Sequence, residues 1–294
     1  MAGRKRQKLA LALAPGRDQG TGFKAAKLKK TVQSQSTPNL EAERSHYFIK
    51  NNLQHRLGED FFNQPCLSLA KAFLGKVLVR KYEDGSELRG RIVETESYLG
   101  GEDKASHSAG GKRTERNTAM FMKPGTIYVY PIYGIYLCMN VSSEGEGAAV
   151  LLRSLEPLQG QPIMRELRAA RRKEGARPLK DKELCNGPSK LCQALNVPRC
   201  FDRRDLASDP EVWLEGDPDA SPIKPHDIVS APRVGIESHG EWAKKPWRFY
   251  IRGHPCVSVV NKEAERQSLS GNVMNNSGPS DVQPDTGLHN VKRT

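Results

Sequence analysis

Two carboxylates and a phenol stand at alternate positions in the run 91–99 (RIVETESYL), and an imidazole follows at 107 after Gly100 and Gly101. In an extended strand, Glu94, Glu96 and Tyr98 share one face while Val93, Thr95 and Ser97 share the other. Acidic side chains on a half-buried face are rare unless paired. A carboxylate set beside a phenol and an imidazole can act as a general base, drawing a proton from water. A solvated edge strand would show the same alternation, and these residues alone leave both readings open. Residues 148–155 bear on the choice: they read as a buried strand with Arg153 inside it, and such an arginine needs a carboxylate, for which Glu96 is the candidate.

The elements that must hold these groups are legible in outline. Residues 66–74 have helical spacing, with Gly75 as the terminating residue. Residues 76–82 and 88–98 read as two strands of a hairpin turned by Asp84-Gly85. A polar loop with His107, Lys112, Arg113, Arg116 and Asn117 comes next. Residues 127–141 then carry Tyr128, Tyr130, Tyr133 and Tyr136, interrupted by Pro131 and Gly134. They suggest two strands whose tight turn lifts Tyr133 off the sheet, either to meet something outside the chain or to fold back on it. Residues 161–174 predict a basic amphipathic helix. Another helix starts after Gly187, where free N–H groups and Lys190 would suit a phosphate, although an ordinary capped helix fits equally. Residues 202–245 read as loop-rich, and 247–252 with 256–260 as a closing hairpin.

The chain has 294 residues and a net charge of +12, distributed unevenly. Residues 1–30 hold nine Lys or Arg against the single Asp18. A basic tail on a mildly basic body suggests a polyanion, most often nucleic acid, with a merely solvated tail as the alternative. Residues 1–50 and 263–294 are polar and poor in aromatics and are expected to be disordered, which leaves 51–262 as one folded domain. No apolar run approaches the roughly 18 residues of a membrane span. The run 9–14 is shorter than the roughly 7–15 apolar residues of a secretory leader. Basic clusters at 4–8 and 24–30 suit nuclear import, and the Arg-rich, acid-poor start also suits mitochondrial import. The six cysteines read as reduced thiols, since Cys185, Cys192 and Cys200 lack the spacing of a zinc site. Neither a metal nor a cofactor is expected.

Taken together, residues 91–107, the hairpin 130–140, the run 151–157 (LLRSLEP), 187–191 (GPSKL) and 233–235 (RVG) resemble the alkyladenine (3-methyladenine) DNA glycosylase family over about 58–262. The resemblance implies a mixed α/β (α+β) fold, one domain around a curved antiparallel sheet with a protruding β-hairpin and surrounding helices. It implies a monofunctional enzyme of base excision repair that flips damaged purines (3-methyladenine, 7-methylguanine, hypoxanthine, ethenoadenine) out of duplex DNA, leaving an abasic site. Glu96 would deprotonate the attacking water, with Arg153 and the Val234 carbonyl holding it. Tyr98, His107 and Tyr130 would line the base pocket, and Asn140 would collide with the 2-amino group of guanine. Tyr133 would enter the minor groove with Ile135 beside it, where the family carries Met, an exchange of apolar shape that the contact should survive. Arg116 and Lys190 are candidate phosphate contacts. The partner is damaged double-stranded DNA and the protein a monomer; partners of the tails are not specified. No lysine sits in the strand-borne part of the site, Lys104 and Lys112 being loop residues, which disfavours a Schiff-base lyase. A non-catalytic binder of structured nucleic acid and a small-molecule hydrolase or formyl-transfer-like enzyme are the competing readings.

Overall fold

The computed structural model describes residues 55–132, 134–217 and 220–274, the last six by their backbone alone. Helices α1 (Glu59–Phe62) and α2 (Cys66–Ala72) lead into the hairpin β1 (Val77–Lys81) and β2 (Glu87–Tyr98). Gly75 ends the α2 segment at φ +82°, and Gly85 turns the hairpin at φ +83°, both in the left-handed region that favours glycine. A second hairpin, β3 (Ile127–Ile132) and β4 (Tyr136–Ser142), is followed by the long β5 (Ala149–Gln159). Helices α3 (Gln161–Ala169) and α4 (Pro188–Ala194) come next, then β6 (Val212–Glu215), β7 (Ile228–Ala231), α5 (Glu241–Lys244), β8 (Arg248–Ile251) and α6 (Lys262–Met274).

All eight strands join one sheet in the order β3-β4-β5-β2-β1-β6, with β8 added to β2 and β7 to β8. β2 is therefore central. One edge runs along β5, while the other is shared by β1 over Glu87–Arg91 and β8 over Glu94–Glu96. Pairing carries one row of residues across five strands: Tyr128 faces Asn140, Asn140 faces Leu151, Leu151 faces Glu96, and Glu96 faces Arg248. Directly opposed residues point to the same side of a sheet, so this row forms a single working surface. The β2–β5 register slips around Glu94, where Glu94 faces Ser154 and Thr95 faces Leu152. Arg153 falls inside that irregularity, which lets it reach both Glu94 and Glu96.

The opposite side of β2 rests on α2. The Thr95 hydroxyl donates to the Ala70 carbonyl at 2.8 Å and the Ser97 hydroxyl to that of Cys66 at 3.3 Å. Phe62, Leu69, Phe73, Leu78, Leu88, Ile92, Val150 and Leu152 form the heart of the main apolar cluster. Burying such side chains stabilises by roughly 1.5–3 kcal/mol each.

The mixed α/β architecture with an antiparallel sheet agrees with the sequence reading, and four details differ from it. The helix predicted over 161–174 stops at Ala169, before Gly175. The loop-rich stretch 202–245 contains β6 and β7, each of only four residues. Residues 256–260 form no strand; β8 pairs with β7 instead, and Val257 joins Val229, Ala231 and Tyr250 in a small second apolar cluster. Where the composition predicted disorder from 263, α6 runs to Met274, started by the Asn261 side chain accepting from the Ala264 N–H. The tail 1–50 and residues beyond 274 lie outside the described residues. No helix among those described is long and apolar enough to cross a membrane. All six cysteines are free.

Candidate active site

The working surface of the sheet opens into a cavity of 540 Å³, with Glu96, Asn140, Leu151 and Arg153 at its strand-borne floor. Glu96 is fully buried, and three donors meet its two oxygens. The Val234 N–H donates to Oε1 at 2.8 Å, Arg153 Nη1 approaches the same oxygen at 3.1 Å, and the Tyr98 hydroxyl donates to Oε2 at 2.9 Å. Burial first, and the Glu96 charge second, push the Tyr98 phenol well above its ordinary pKa, so it stays a donor. Burial pulls against the charge on Arg153, but Glu96 and Glu94 outweigh it and hold the guanidinium more firmly protonated than usual.

A second buried carboxylate stands behind the first. Glu94 Oε1 accepts from Arg153 Nε at 3.1 Å and from Arg248 Nη1 at 2.9 Å, and its Oε2 from the Ser258 N–H at 2.7 Å. Two carboxylates and two guanidiniums thus form a balanced group of four, which is how such charges survive burial. Glu94 and Arg248 belong to the site's support, a part that the sequence reading gave to neither. Glu94 lay on the right strand face, but its partner arrives from β8, more than 150 residues away in the chain.

His107 reaches the mouth of the cavity on a loop that doubles back after Gly100. A Cβ at Gly100 would come within 2.8 Å of the Glu146 and Gly147 carbonyl oxygens, and its φ is +70°, so only glycine fits the reversal. The fully buried Asn117 ties the loop down, donating from its amide to the carbonyls of His107 and Lys112. The His107 ring meets Tyr130 edge to face at 4.5 Å, and Tyr128 stacks on Tyr130 at 5.2 Å. Arg116 lies 3.1 Å from His107 Nε2. An arginine can only donate, so Nε2 is the acceptor and Nδ1–H faces the Tyr128 hydroxyl at 3.0 Å. Burial and the neighbouring Arg116 charge lower the His107 pKa to about 4, which agrees with a neutral ring. Burial likewise pushes the Tyr128 phenol up to about 12, raises Tyr130, and lifts the Cys138 thiol in the cavity wall to about 11.

The structure therefore gathers Glu96, Arg153, Tyr98, His107, Tyr130, Asn140 and Val234 around one cavity. Val234 meets Glu96 through its N–H. Arg116 lines the cavity with its guanidinium over the Tyr130 ring as well as on His107. Lys104, read as a loop residue outside the strand-borne part of the site, lines the cavity too, because the loop folds over the sheet. Lys190 donates to Asn186 at 2.9 Å at the start of α4. Ile135 is exposed beside the hairpin turn, and Tyr133 lies outside the described residues. The described residues contain no cluster of side chains suited to a metal ion.

Residues 60–255 match the family model described as methylpurine-DNA glycosylase. A DNA-3-methyladenine glycosylase of Homo sapiens is 60% identical over 230 residues, which cover 76% of this chain and 76% of that protein. The DNA-3-methyladenine glycosylase of Mus musculus is 59% identical over 233 residues, covering 79% and 69% respectively. A putative 3-methyladenine DNA glycosylase of Clostridium perfringens (strain SM101 / Type A) is 45% identical over 205 residues, 69% of this chain and 98% of its own length. The matched region takes in the whole cavity lining from Glu96 to His239.

Proposed function

The chain belongs to the methylpurine-DNA glycosylase family of DNA-repair enzymes, and from that premise we propose that it hydrolyses the N-glycosidic bond of damaged purines flipped out of duplex DNA. A base inside a duplex cannot be reached, so the nucleotide must leave the stack before chemistry begins. The reading is carried by one observation: a fully buried carboxylate at the floor of a cavity walled by aromatic rings. Glu96 takes a proton from water while the water oxygen bonds to C1′ and the bond from C1′ to the base nitrogen breaks. The products are the free base and an abasic site. Arg153, tied to both Glu94 and Glu96, and the Val234 carbonyl orient the water.

Tyr98, Tyr130 and His107 hold the extruded base, each aromatic contact being worth roughly 1–3 kcal/mol. Asn140, in the floor beside Leu151, stands against the 2-amino group of guanine. The substrates are 3-methyladenine, 7-methylguanine, hypoxanthine and ethenoadenine. Tyr133 fills the gap in the minor groove, with exposed Ile135 beside it. Arg116 and Lys190 meet phosphates; Arg116 would exchange its contact with His107 for that one. The protein acts as a monomer, and its basic clusters at 4–8 and 24–30 support a nuclear address, with mitochondrial import as the second route.

Alkali-sensitive strand breakage on a hypoxanthine-containing duplex tests this reading. Glu96→Gln should slow base release by at least the roughly 10²–10⁴-fold that general-base help supplies, with duplex binding retained. Full activity in that variant removes Glu96 as the base, and affinity without any product from the unaltered protein makes it a binder only. Tyr133→Ser should weaken lesion-specific binding more than salt-sensitive non-specific binding. Equal losses would reduce Tyr133 to a surface contact.

A further inference from the structure

Behind the cavity, out of reach of any substrate, lies a second charged pair. Arg233 and Asp103 both have completely buried side chains, and they meet end-on: Nη1 on Oδ2 at 2.7 Å and Nη2 on Oδ1 at 2.8 Å. The bidentate form fixes direction as well as distance. Neither residue is needed to neutralise the Glu94/Glu96/Arg153/Arg248 group, which balances on its own. Their connections explain why they are there.

Arg233 Nη1 also donates to the Ser97 carbonyl at 2.9 Å, on β2 between Glu96 and Tyr98. Its guanidinium lies 4.6 Å from the Tyr98 ring centre, and Nη2 reaches the Trp242 carbonyl at 3.3 Å. Asp103 accepts from the Leu99 and Ala105 N–H groups, at 3.1 and 3.2 Å, at the start of the loop that brings His107 to the cavity. The residue after Arg233 is Val234, whose N–H supports Glu96 Oε1. One guanidinium therefore ties together the strand bearing the carboxylate, the ring that bonds it, the loop bearing His107, and the amide that aims it.

We infer that Arg233 is a positioning residue for base release, setting Glu96 and Tyr98 through Val234, Ser97 and Asp103 without touching substrate. The inference rests on Glu96 being the base. Arg233→Lys keeps the charge but cannot hold both Asp103 oxygens and the Ser97 carbonyl. A displacement of the reacting group by about 1 Å can cost 10²-fold in rate. Single-turnover base release from a hypoxanthine duplex should therefore fall by about that factor. Affinity for the same duplex, measured in a Glu96→Gln background, should fall by a much smaller factor, because Tyr98 and His107 meet the base before and during reaction whereas the aim of Glu96 matters only in the transition state. Leu88→Ala, a core truncation remote from the cavity, should lower the melting temperature and leave the rate unchanged.

Arg233→Lys releasing base at the wild-type rate overturns the inference. So does a loss shared equally between rate and affinity. If Arg233→Lys does not fold, Asp103→Glu shifts the same pair by one methylene and carries the same expectations. The unaltered protein supplies a further check: the Val234 amide should exchange with solvent as slowly as strand-interior amides of β2, and rapid exchange overturns the inference. Activity retained in Glu96→Gln would instead overturn the proposed base, whereas an inactive Glu96→Gln beside a fully active Arg233→Lys overturns the positioning role alone.

Discussion

The two faces of β2 bury polar side chains equally deeply and by opposite means. On one face Thr95 and Ser97 place hydroxyls on backbone carbonyls of α2, where each donor finds one acceptor. The Ala70 carbonyl needs such a donor, since the Leu74 N–H turns to Lys71 in the tightened last turn of the helix. On the other face Glu94 and Glu96 are held by Arg153 and Arg248, with a cavity directly above. Full burial does not separate the faces, because Thr95, Ser97, Glu94 and Glu96 are all inaccessible. The difference lies in what would remain after one partner is removed: an unsatisfied dipole on the helix side, and an uncompensated charge on the cavity side.

That contrast can be broken most forcefully at Glu94. Glu94→Gln leaves Arg153 with Glu96 alone and takes from Arg248 its carboxylate partner, and removing one partner of a buried ionic group costs about 3–5 kcal/mol. In a domain of this size each kcal/mol lowers the melting temperature by about 2–4 °C. Base release should slow as well, because Arg153 loses the anchor of its Nε. A variant that melts like the wild type would show that the four charges are not interdependent.

Thr95→Val, on the opposite face, sharpens the comparison. It preserves side-chain shape and leaves the Ala70 carbonyl without its donor, a loss of about 1–3 kcal/mol. The rate of base release should not change, since the hydroxyl points away from the cavity. If Thr95→Val reduced turnover, the faces would be mechanically coupled and their separation would fail.

What could be read from the chain follows the same division. The helix, both hairpins and the face carrying Glu94, Glu96 and Tyr98 were legible because local periodicity and turn residues specify them. The Arg153–Glu96 pair was legible because a buried arginine demands an acid. Arg248 and the Arg233–Asp103 pair were not, for their partners arrive from distant segments and no local pattern marks the meeting. β6 and β7 are too short for alternation to register. α6 is mostly polar and is held by the Asn261 N-cap and by Arg252 on the Glu265 carbonyl; of its residues Ala264 joins the small apolar cluster. Its one readable signal was Asn261 at the N-cap.

The smallest expected effect concerns acid, and it too belongs to the cavity side, since neither Thr95 nor Ser97 titrates. His107 is lowered from its ordinary 6.5 to about 4 by burial and by Arg116. For a group whose folded pKa lies below its unfolded one, the unfolded chain binds the proton first. The stability that the neutral ring supports is present above pH 6.5 and is lost as pH falls towards 4. His107→Gln cannot charge, so the difference in melting temperature between wild type and variant should shrink, or change sign, across that window. Arg116→Gln should return the imidazole towards its ordinary pKa, readable as a shift of its proton resonances during titration. A ring that still titrates near 4 without Arg116 would assign the whole depression to burial and leave the guanidinium no part in holding His107 neutral.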